Sequence, residues 1–60
     1  MDEIRKEIYK ANIVALRTLN GMFEELSAIE TNLYYKEFLA REAHALIMVI
    51  WQLERREYHE

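Results

Sequence analysis

The nine residues from Ala43 to Trp51, AHALIMVIW, constrain this chain more than any others. Wound into a helix they are apolar on nearly every side, whereas a surface helix of a globular protein buries one stripe and wets the rest. A chain of 60 residues has room for one domain and a thin core. Domains this small are marginal alone and often gain stability by oligomerising. One further helix from the same chain cannot cover such a segment from all directions. The pattern therefore predicts an associating module, covered by a second copy or by another protein.

The rest of the chain reads as helix. There is no proline, a single glycine, Gly21, and an abundance of Ala, Leu, Ile, Glu, Lys and Arg, all helix formers except the β-branched Ile. A first helix is predicted from about residue 2 to 28. Ile4, Ile8, Ala11, Ala15, Leu19, Met22, Leu26 and Ile29 recur at helical spacing and form one continuous stripe, assigned here to the core. Leu16 and Phe23 widen it on one flank and Val14 on the other, with Lys6, Lys10, Arg17 and Glu24 opposite. Asp2 and Glu3 suit the positive end of the helix dipole. Asn20-Gly21 resembles a C-cap, yet the apolar phase passes through it unbroken, so a continuous or mildly kinked helix is expected. The turn is placed at residues 29–32, where Ser27 and Glu30 make an S-x-x-E pair and Thr31 and Asn32 are good N-caps.

A second helix follows from about residue 33 to 57, with a stripe of Tyr35, Leu39, Ala43, Leu46, Ile50 and Leu53 and an outward Glu37–Arg41 pair. Two helices of nearly equal length joined by a short turn make an antiparallel hairpin, an all-α single domain spanning residues 1–60. Residues whose numbers total about 61 then face each other, pairing Ala15 with Leu46 and Ala11 with Ile50. Around the second helix, Phe38 and Val49 fall on one flank of the stripe, Ile47, Trp51 and Tyr58 on the other, and Met48 interrupts the polar back. These six are the expected interface. Leaving them exposed would create a patch that monomers rarely tolerate. A two-fold dimer of hairpins, a four-helix bundle with the second helices at its centre, is the expected remedy.

Chemistry is harder to find. Glu42 falls inside the apolar arc opposite Leu19, with Thr18 and Asn20 as the nearest polar groups on the facing helix. Because an unpaired buried charge is very costly, a structural polar set fixing register is expected there, as a buried Asn does in coiled coils. A catalytic carboxylate would need a converging second group, which the sequence does not offer. Asn12 is expected to hydrogen-bond across an interface. His44 and Met48 are an i,i+4 pair with too few ligands for a metal. Di-iron bundles need Glu three residues before His, but Arg41 precedes His44 and Arg56 precedes His59. No catalytic, cofactor or metal site is expected. The tyrosines, Trp51 and Phe38 are spread along both helices among acids, which suits interface packing better than base stacking.

The net charge of −3, with acids and bases interspersed, gives no basic patch for nucleic acid or an anionic membrane. There is no cysteine. The start, Met1-Asp2-Glu3, is unlike a secretory signal, and the uncharged stretch from Ala43 to Leu53 is too short to span a bilayer, so a cytoplasmic protein is expected. In length and pattern the chain resembles the Rop-like bundles of plasmid RNA-binding regulators. That resemblance implies a nucleic-acid-binding alternative, which the charge balance disfavours. The leading expectation is a small non-enzymatic homodimer that regulates or inhibits another protein through a helical face.

Overall fold

The computed structural model describes residues 3–58, apart from the side chains of Glu57 and Tyr58. Two helices account for nearly all of it: α1, Glu3–Ile29, and α2, Leu33–Tyr58. No strand occurs among the described residues. Helix α1 runs straight through Asn20-Gly21, and Gly21 has no positive φ. The break falls after Ile29 instead. There Asn32 caps α2, its Oδ1 accepting the Tyr35 N–H at 3.2 Å, while Glu30 Oε1 accepts the Asn32 N–H at 3.0 Å. Lys36 reaches back, and its Nζ donates to the carbonyls of Ser27 at 2.8 Å and Ala28 at 3.4 Å. These are among the carbonyls that the end of α1 leaves without helical partners, and a cation there also suits the helix dipole. Ser27 belongs to α1 and donates to the Lys36 carbonyl at 3.0 Å, so Ser27 and Glu30 do not form a capping box on α2.

The hairpin is antiparallel and long, 46 × 15 × 10 Å across its principal axes. Register is fixed by two side chains of α1: Ser27 on the Lys36 carbonyl and Asn20, whose Nδ2 donates to the Ala43 carbonyl at 2.6 Å. Both bonds join residues whose numbers total 63, two more than the sequence pattern suggested. That shift brings Ile13 opposite Ile50, and these two with Ala43 are the buried core. On α2 the inward stripe is the expected one except at Tyr35, which is 55% exposed on its flank; Leu39, Leu46 and Leu53 are half-buried beside Ala43 and Ile50.

On α1 the inward stripe is not the expected one. Tyr9, Ile13, Leu16, Asn20, Phe23 and Ser27 turn toward α2. The richer stripe from Ile4 to Ile29 is exposed throughout, and neither Ala11 nor Ala15 is buried against α2. The physical reason is that α1 carries two apolar stripes about 125° apart at 100° per residue. The poorer one contains the two polar groups that bond the α2 backbone.

Candidate functional site

The two helices expose apolar side chains on a shared side. Ile8 and Asn12 border one groove with Leu53 of α2. On the other side of the hairpin, Glu24 and Ser27 border a groove with Ala40, His44 and Ile47. The exposed stripe of α1 therefore lies on the Leu53 side. At 100° per residue Tyr35, Phe38 and Val49 of α2 fall on that side too.

The combined surface is broad and apolar. Ile4 is 76% exposed and Ile29 74%, at opposite ends, with Ile8, Leu19, Met22 and Leu26 between them at 41–57%. Phe38 and Val49 continue it at 41% and 46%. Contiguous apolar surface of this extent is rare on a small monomeric chain. Glu42 also lies on this side. It is exposed rather than buried, and among the described residues it makes no hydrogen bond or ion pair.

The six expected interface residues are thus divided. Phe38 and Val49 belong to the broad face. Ile47, half-buried, lies in the groove beside Glu24 on the opposite edge. Met48 and Trp51, 44% and 58% exposed, lie on that edge and the back of α2. The α1 neighbours of that edge are the polar Lys6, Arg17 and Glu24. The Tyr58 side chain lies outside those described. Sequence reasoning missed the α1 stripe as exposed surface, although its eight positions were legible.

The expected polar set is divided as well. Asn20 bonds across the hairpin, but to a backbone carbonyl and not to Glu42. Asn12 Nδ2 donates to the Ile8 carbonyl at 2.8 Å and Thr18 Oγ1 to the Val14 carbonyl at 3.1 Å, both within α1. Arg17 reaches Glu54, an ion pair between the helices that the sequence pattern did not suggest. The outward Glu37–Arg41 pair is not formed among the described residues.

No group of three His, Cys, Asp or Glu side chains that could hold a metal occurs among the described residues. His44 is exposed in the groove with Glu24 and Ser27, and the Ser27 hydroxyl donates to the Lys36 carbonyl. Among the described residues no helix is long and apolar enough to cross a membrane. Comparisons of the chain with protein-family models, with curated proteins and with solved structures find no match.

Proposed function

We propose that this chain is a non-enzymatic interaction module that dimerises into a four-helix bundle and regulates or inhibits another protein through a helical face. The observation that carries this reading is the uninterrupted apolar surface from Ile4 to Ile29, set beside a core of Ile13, Ala43 and Ile50 among the described residues. A hairpin that exposes more large apolar side chains than it buries is better suited to covering by another helix pair than to standing alone. Homodimers with two-fold symmetry are the commonest such assembly. The edge carrying Met48 and Trp51 is narrower and charge-flanked, which suits a second, different protein once the broad face is covered.

The deciding measurement is sedimentation equilibrium of the whole chain. A dimer is expected at about 100 μM, far above the dissociation constants of stable complexes. A well-folded monomer at that concentration refutes the self-association on which this reading stands.

A further inference from the structure

We propose that the seat of the second copy is the exposed stripe of α1, docked antiparallel against the same stripe of the partner. This deepens the self-association reading and rests on it. Place a two-fold axis across α1 between residues 16 and 17. Ile4 then lies opposite the partner's Ile29, Ile8 opposite the partner's Leu26, Ala11 opposite the partner's Met22 and Ala15 opposite the partner's Leu19. Every member of the stripe finds another member within about half a residue of ideal register. The two alanines, which would leave gaps against one another, meet the unbranched Met22 and the γ-branched Leu19. Small against large is the arrangement that lets facing helices interdigitate.

Charge does not choose the register: Arg5 falls within two residues of the partner's Glu30, but Glu7 falls within one residue of the partner's Glu25. A parallel pairing would instead set Ile against Ile, Ala11 against Ala11 and Arg5 against Arg5.

Docking along the α1 stripe covers Ile4, Ile8, Leu19, Met22, Leu26 and Ile29 of each copy, large apolar side chains that the hairpin leaves 41–76% exposed. In this docking Phe38 and Val49 of α2 border the same interface, while Met48 and Trp51 stay outside it.

The chain has no cysteine, so single introduced thiols report position cleanly. Ala11→Cys and Met22→Cys are prepared as separate whole-chain proteins, then treated alone and mixed with a short bifunctional maleimide. Two Ala11 positions lie roughly 17 Å apart along the axis in this register, at 1.5 Å rise per residue, and two Met22 positions nearly as far. A linker shorter than that is expected to join the mixture and neither protein alone. Self-linking of Ala11→Cys as efficient as in the mixture overturns the antiparallel docking. Absence of any link, in a chain that sediments as a dimer, overturns the choice of face and leaves the dimer standing. A monomer overturns both.

A second pair of variants guards against misreading a local perturbation. Leu19→Glu, which would place a charge between the two α1 helices, should weaken dimerisation at least about tenfold. Trp51→Glu should leave the dimer unchanged. The reverse order overturns the proposal.

Discussion

Asn20 and Gly21 stand next to each other and do opposite things to α1. Asn20 is half-buried and donates to the Ala43 carbonyl, so it ties the middle of α1 to the middle of α2. Asn20→Ala removes that bond and should cost about 1 kcal/mol in urea unfolding at fixed protein concentration. The loss is modest because the Ala43 carbonyl remains within α2. Gly21 contributes only conformational freedom. A Cβ built on it meets nothing within 4 Å, and its φ is one that any residue adopts. Gly21→Ala should therefore stabilise the protein by about 1 kcal/mol through helix propensity. By helical phase Gly21 lies away from the apolar face, so dimerisation should not change that gain. A destabilising Gly21→Ala would show that something packs against this position. Glu42 is the third instructive residue. Being exposed and without a hydrogen bond or ion pair among the described residues, it should tolerate Glu42→Gln with a stability change within about 0.5 kcal/mol.

At the level of elements, the turn is where local chemistry is most concentrated. Asn32 caps α2 and Lys36 binds the last carbonyls of α1, so each helix end is satisfied by a side chain of the connection or the opposite helix. Asn32→Ala should destabilise by about 1 kcal/mol, the usual value of a lost N-cap, read as an earlier urea midpoint with unchanged slope. Such features are legible in a sequence because they are local: a helix that loses its phase near Ile29 and a capping residue three positions before Tyr35. The two helices and their antiparallel pairing were legible for the same reason, and so was the inward stripe of α2 apart from the exposed Tyr35. The inward stripe of α1 was not. Apolar periodicity says that a face is covered; it does not say whether the cover belongs to the same chain. The stripe from Ile4 to Ile29 has eight apolar members and no polar one, so it outscored the stripe of Ile13, Leu16 and Phe23, which Asn20 and Ser27 interrupt. Those two interruptions are what select the second stripe, since they reach backbone carbonyls on α2. Reading Glu42 as buried was a consequence of the same choice, because its supposed cover, Leu19, faces out.

For the whole molecule the question is whether a hairpin with three buried residues among those described holds itself together. Ile13, Ala43 and Ile50 are small or medium side chains, and no large side chain is fully buried among the described residues. Ordering the backbone costs roughly 1–2 kcal/mol per residue, so stability must draw on far more apolar burial than these three supply. Covering the exposed parts of Ile4, Ile8, Leu19, Met22, Leu26 and Ile29 of both copies would contribute on the order of 10 kcal/mol, at about 1.5–3 kcal/mol for each fully buried side chain. Association itself costs about 4–15 kcal/mol, so the net is modest and the dimer should dissociate within an accessible range of concentration. Folding and assembly are then linked. Melting followed by far-ultraviolet circular dichroism should shift upward as the chain is raised from about 1 to about 100 μM, because anything that binds only the folded state stabilises it by mass action. The shift should vanish in Leu19→Glu and persist in Trp51→Glu. Trp51 stays outside the proposed interface, so its fluorescence maximum should not move across the same concentration range. A melting temperature that is high and independent of concentration would mean that α1 and α2 suffice for each other, and that the apolar face is kept free for a different protein.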